Sequence, residues 1–159
     1  MEKSRKVLFL CTGNSCRSQI AEALLRHLGA DSFEALSAGS DPAGFVHGLA
    51  LDAIKYMSLS AAGLESKSWD RFADVPVDVV ITLCDNAAAR HCPVWSGGPI
   101  TVHWPLPDPA YHPAKPKERF EFTLAVANRL REKIGAMVRL DWSADRDELT
   151  SQLEHLGEI

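Results

Sequence analysis

Short apolar runs alternate along this chain with longer stretches of helical periodicity. Val7-Leu8-Phe9-Leu10 is an uninterrupted apolar run, the pattern of a strand buried on both faces of a parallel sheet. A tight segment from Cys11 to Arg17 follows, and then Ile20, Ala21, Ala23, Leu24, Leu25 and Leu28 recur at helical spacing. Ser18 is placed to cap that helix, and Gly29 to end it in a left-handed conformation. This is strand, loop, helix, the opening half of a βαβ unit.

The alternation continues. Phe33 to Ala38 predicts a second strand, closed by the turn-forming stretch Gly39-Ser40-Asp41-Pro42-Ala43-Gly44. Leu49 to Leu59 is helical in pattern, and a short helix is expected near Trp69 to Phe72. Val77 to Leu83 is rich in β-branched residues and is the clearest strand of all. Ile100 to Trp104 predicts a shorter strand, Phe120 to Val138 a long helix, and Asp147 to Leu156 a last one. Strands alternating with helices imply an α/β three-layer sandwich, a four-stranded parallel sheet with helices on both faces. The 159 residues fit a single domain, 1–159, without linker or repeat.

Composition changes this picture little. Hydrophobic residues make up 46% and charged residues 24%, as in an ordinary globular protein. A net charge of −4 argues against a general nucleic-acid or anionic-membrane partner. No apolar run approaches the ~18 residues that span a bilayer. The six residues before the first strand are too short for a signal peptide, so a cytoplasmic location is expected.

The chemistry sits where the strands end, because ligands bind beyond the carboxyl ends of parallel strands. Cys11 follows the first strand, Cys84 the third and Asp108 the fourth. In Cys11-Thr12-Gly13-Asn14-Ser15-Cys16-Arg17-Ser18, Gly13 and Asn14 tolerate left-handed angles, so the loop can turn its N–H groups inward as an anion nest. The following helix contributes its N-terminal dipole end, and Arg17 can fork two oxygens of an anion. The same field is expected to lower the Cys11 pKa from its free value of ~8.5. The Ser18 hydroxyl can donate to the sulfur. Cys11, Arg17 and Ser18 are thus candidate catalytic residues, and Thr12, Gly13, Asn14, Ser15 and Cys16 candidate substrate-binding ones. The Cys16 thiol itself is expected to be structural.

The segment Val7 to Glu22 resembles the phosphate-binding loop of low-molecular-weight protein tyrosine phosphatases and of the arsenate reductases that share their fold. Asp108-Pro109 resembles the family's general-acid loop, and the likeness runs from about Lys6 to Gly135. It implies Cys11 as nucleophile, Arg17 as anion clamp, Ser18 as thiolate partner and Asp108 as acid. Leu83-Cys84-Asp85-Asn86-Ala87-Ala88 with Cys92-Pro93-Val94-Trp95 resembles the redox-cysteine segment of thiol-coupled arsenate reductases. The acid loop favours that branch too. Asp108-Pro109-Ala110 stands where the phosphatases usually show Asp-Pro-Tyr, and Tyr111 comes one residue later.

The two activities share the first attack and diverge at the second step. A phosphatase needs only water, whereas reducing arsenate to arsenite takes two electrons, which thiols supply by forming a disulfide. The resemblance therefore implies a relay from Cys11 to Cys84 to Cys92, with arsenate as substrate and phosphate or sulfate as analogues. The cofactor is then an external thiol reductant: thioredoxin, glutaredoxin or a low-molecular-weight thiol. The alternative is a phosphatase hydrolysing aryl phosphates through a cysteinyl phosphate. A zinc module is the competing class, but zinc pairs are usually separated by roughly two to four residues, whereas seven lie between Cys84 and Cys92. No bound metal is expected.

One departure from the resembled family concerns a cation. Some of its members hold potassium beside the loop through an Asn, a Glu on the first helix and a later Asp. Asn14 and Glu22 match, but Ser66-Lys67-Ser68 occupies the place of the Asp. Lys67 is expected to replace the ion. The histidines, His47 and His103 among them, are expected in solvated or core roles. Trp69, Trp95 and Trp104 should pack, and Glu118-Arg119 and Arg129 to Lys133 should form a solvated helix face.

Overall fold

The computed structural model describes residues 4–84, 95, 98–109 and 115–159. Four strands, β1 (Arg5–Cys11), β2 (Phe33–Gly39), β3 (Val79–Thr82) and β4 (Ile100–His103), form one parallel sheet in the order β2-β1-β3-β4. β1 is central, so its apolar run is buried throughout from Val7 to Cys11. That position explains why it shows no polar alternation. Helices α1 (Arg17–Gly29), α2 (Gly48–Tyr56) and α3 (Pro116–Val138) pack against one another around the sheet. Helix α4 (Arg146–Leu156) packs on β4. A 3-10 turn over Trp69–Phe72 stands where the pattern put a short helix.

The register explains how the site forms. Parallel pairing places Cys11 beside Gly39, and β3 beside β1 ends one residue short of it, at Thr82 opposite Leu10. The ladder then continues with Leu83 N–H donating to Leu10 O at 2.8 Å, which carries Cys84 to the same sheet end as Cys11.

Four local expectations differ from the structure, each for a physical reason. Ser18 does not cap α1: the N-cap is Cys16, and no side chain caps that helix end. Nor is Gly29 left-handed. The positive φ of 44° belongs to Ala30, and Gly29 is small because a Cβ there would stand 2.9 Å from Phe33 and 3.0 Å from Leu25. The predicted strand Val77–Leu83 shortens to Val79–Thr82, although Asp78 and Leu83 at its two ends still hydrogen-bond to the segments on either side. The expectation of a solvated face on α3 fails at Lys133, which is fully buried.

Candidate active site

The loop after β1 is held from outside by its carbonyls. Thr12 O accepts from Asp41 N–H, and Gly13 O from both Ala43 N–H and the Ser66 hydroxyl. Asn14 O accepts from the Gln19 amide, and Ser15 O from His47 N–H at 2.8 Å. In a trans peptide the N–H points opposite to the C=O. Anchoring these carbonyls outward therefore turns the N–H groups of residues 13–16 inward, toward the cleft. Asn14 takes the left-handed conformation this needs, with φ 46°. Gly39, expected to open a turn, is instead the last residue of β2 and lies against this loop. A Cβ on it would lie 2.5 Å from Thr12 O and 3.0 Å from both Asn14 N and Cys11 O, so only glycine lets β2 run this close beneath the loop.

The missing cap on α1 now has a reason. A serine at the helix start would consume first-turn N–H groups that an anion can use. Ser18 instead lies 2.9 Å from the Cys11 sulfur and accepts from the Asn14 amide at 2.7 Å. With the Asn14 side-chain N–H directed at the Ser18 oxygen, the hydroxyl proton is left for the sulfur.

Arg17 is buried, and its two terminal nitrogens reach Leu106 O at 2.9 Å and the Asp108 carboxylate at 3.2 Å. Its Nε–H has no acceptor among the described residues, a buried donor suited to an oxyanion. Cys84 Sγ lies 3.1 Å from the Thr12 hydroxyl, one residue along from Cys11. Together these groups line an open cleft of about 1020 Å³, into which Cys11, Arg17, Cys84 and Asp108 all face. Cys92 lies outside the described residues. His47 is neither solvated nor core: it caps α2, its Nδ1 accepting from Leu49 N–H, and it lines the cleft.

The thiols answer the electrostatic expectation differently. Burial pushes the Cys11 pKa above its ordinary value, outweighing the pull of the Ser18 hydroxyl, the Arg17 guanidinium and the Ser18 amide. The expected depression is therefore overturned, because the sequence shows the donors but not the depth at which the sulfur sits. A raised pKa means a protonated thiol at neutral pH and a thiolate fraction that grows as pH rises. Iodoacetamide should accordingly modify Cys11 more slowly than an unstructured cysteine at pH 7, with a rate still climbing above pH 9. A rate plateau already reached at pH 7 would contradict this. The Cys16 thiol is pushed up to about 12, by burial first and then by Asp108 and Cys11. At neutral pH it is therefore a protonated thiol.

Behind the loop, Glu22 is almost fully buried and is met by several groups. It pairs with Arg26 and accepts from the Ser37 hydroxyl at 2.7 Å, and Lys67 Nζ stands 3.6 Å away. Lys67 Nζ also donates to Glu65 O at 2.9 Å, while its backbone N–H donates to Asn14 Oδ1 at 3.0 Å. Burial lowers the Lys67 pKa, with Glu22 opposing. Lys67 thus bridges the loop and the first helix, its backbone N–H meeting Asn14 and its ammonium facing Glu22.

A parallel sheet whose central strand runs into a cysteine-headed, arginine-closed anion loop defines a phosphatase-type thiol fold. Residues 6–141 match the family described as low molecular weight phosphotyrosine protein phosphatase, and the chain belongs to that family. Among curated relatives it is 36% identical to an arsenate reductase of Shouchella clausii, over 86% of this chain and 94% of that protein. It is 33% identical to an arsenate reductase of Bacillus subtilis, over 84% and 91%. Among solved structures, an arsenate reductase in the phosphate binding state superposes with a TM-score of 0.70 at 29% identity, over 84% of this chain and 96% of that one. A thioredoxin-dependent arsenate reductase of Corynebacterium glutamicum does so at 0.59 and 30%, covering 82% of this chain and 60% of that one.

Proposed function

We propose that this protein reduces arsenate to arsenite, with Cys11 as nucleophile and Cys84 as the thiol that supplies the electrons. The observation that carries the reading is the placement of Cys84 Sγ on Thr12, beside the nucleophile. A hydrolytic phosphatase has no use for a second sulfur there. The arsenate reductases among the relatives support the same choice.

The reaction runs in balanced steps. The N–H groups of residues 13–16 and the Arg17 fork hold three oxygens of arsenate. The Cys11 proton passes to the bound dianion as the sulfur attacks, and the forming S–As bond offsets the cost of deprotonating a buried thiol. The thiolate forms an S–As bond, and Asp108, having taken up a proton from solvent, passes it to the departing oxygen, which leaves as water. Cys84 then attacks the Cys11 sulfur. The S–As bond breaks with its electron pair left on arsenic, so As(V) becomes As(III) and a Cys11–Cys84 disulfide remains. Cys92 attacks Cys84 in turn, releasing Cys11 as thiolate and leaving a Cys84–Cys92 disulfide. An external thiol of the thioredoxin, glutaredoxin or low-molecular-weight class restores the dithiol with two electrons and two protons. A reducing compartment, the cytoplasm, suits this cycle.

The test is arsenate-dependent NADPH consumption with each thiol system, run beside hydrolysis of an aryl phosphate. Steady NADPH use with at least one system is expected. Aryl-phosphate turnover with no arsenite formed would replace this reading by the phosphatase one.

Lys67 serves as the fixed cation of the loop. Melting temperature and activity should be the same in potassium and sodium chloride for the wild type, and Lys67→Asp should become more stable in potassium than in sodium. Strong potassium stimulation of the wild type would overturn this role.

A further inference from the structure

The family match ends at residue 141, so helix α4 is an element outside it. Its fastenings concentrate on β4. At one end Arg146 donates to Gly98 O at 2.7 Å, just before the strand begins. Leu149, Leu153 and Leu156 form its buried face. At the strand's other end Trp104, fully buried, donates its indole N–H to Leu153 O at 2.9 Å. Past the helix, a Cβ on Gly157 would lie 2.8 Å from His103 O and 2.9 Å from Trp104 Cδ1, so the chain passes in direct contact with the end of β4. Lys133 of α3, fully buried, ties that end down by donating to Leu156 O at 3.0 Å, Gly157 O at 3.2 Å and Ile159 O at 2.6 Å. Such a cation at a helix C-terminus satisfies carbonyls that would otherwise stay unpaired.

Trp104 is the last residue before Pro105-Leu106-Pro107-Asp108. Both prolines fix their φ angles, and each restricts the residue before it, so these four residues are a stiff spacer. The spacer is pinned by Trp104 N–H to Thr82 O at 2.8 Å, Leu106 N–H to Leu83 O at 3.1 Å and Arg17 to Leu106 O. The indole of Trp104 also meets Phe9 of β1, with ring centroids 6.5 Å apart. Asp108 thus hangs from two fixed points, Trp104 held by α4 and Leu106 held by β3 and Arg17, and loss of either loosens its placement.

We propose that helix α4, fastened by Trp104 and Lys133, sets the position of the Asp108 loop, which makes Trp104 a positioning residue for proton delivery. This rests on the reading of Asp108 as the acid. A helix that merely covered a sheet edge would need no fastening at the residue that leads into the acid loop.

The experiment is a cycle of single-turnover rates at saturating arsenate for wild type, Trp104→Phe, Asp108→Asn and the double variant. Trp104→Phe should slow the rate about ten- to a hundred-fold, leaving half-saturation by arsenate within about two-fold, because the anion loop is untouched. Combined with Asp108→Asn it should add no further loss. An equal loss in both backgrounds, or a full rate in folded Trp104→Phe, overturns the proposal. A wild-type rate in Asp108→Asn alone refutes the acid assignment instead, and the two failures are told apart by that single variant. Should Trp104→Phe not fold, Lys133→Met is read by the same cycle, with the same expected and overturning results.

Discussion

Replacing Cys84 with serine should end multiple turnover while leaving the anion site intact. Serine keeps the hydroxyl contact to Thr12, so the loop geometry and the burial around Cys11 are preserved. What it lacks is a sulfur. Arsenic must gain two electrons when its bond to Cys11 breaks, and only a second thiol attacking Cys11 leaves that pair on arsenic. Cys84→Ser should therefore bind arsenate, hold it as the Cys11 adduct and release no arsenite in the steady state. NADPH consumption should fall to background with every thiol system. Sustained arsenite release would remove Cys84 from the mechanism. Any aryl-phosphate hydrolysis should survive the change, since water clears a cysteinyl phosphate unaided.

Arg17→Lys should cost at least about a hundred-fold in kcat/KM for arsenate. The guanidinium does three things from one buried position: it donates to Leu106 O, pairs with Asp108 and presents an Nε–H with no acceptor among the described residues. A lysine ammonium can supply the charge but not the fork, so one of these roles must be dropped. Whichever contact it keeps, either the anion or the acid loop loses its tie. Measured kcat/KM within about five-fold of wild type would show that charge alone suffices, and the bidentate reading would fail.

Particular elements show how far the pattern of residues reaches. β1 and the loop after it were legible because burial on both faces leaves an unbroken apolar run, and because Gly, Asn and Arg at these spacings have few other physical uses. The placement of Cys84 and Asp108 at one sheet end followed from the parallel order, and the structure brings both into the cleft with Cys11. Ser18 was read two ways, as a helix cap and as partner of the sulfur, and only the second occurs. Gly29 and Ala30 exchanged roles because packing against Phe33, a contact across the turn, decided which residue had to be small.

Lys133 shows the other limit. Its neighbours Arg129, Arg131 and Glu132 are exposed, and nothing in the local pattern separates it from them. It is buried because the C-terminal helix ends over it and needs its carbonyls satisfied. The same applies to Gly39, whose side-chain-free approach to Thr12 O is a contact between segments far apart in the chain.

The order of residues by itself determined the strand-loop-helix unit, the candidate nucleophile and arginine, and the presence of a second cysteine at the same sheet end, since periodicity and short-range spacing are local properties. Tertiary structure alone decided the ionisation of Cys11, the enclosure of Lys67 and Lys133, and the support under Asp108. Desolvation and hydrogen-bond satisfaction depend on which distant segments close over a group, and no stretch of residues carries that information alone.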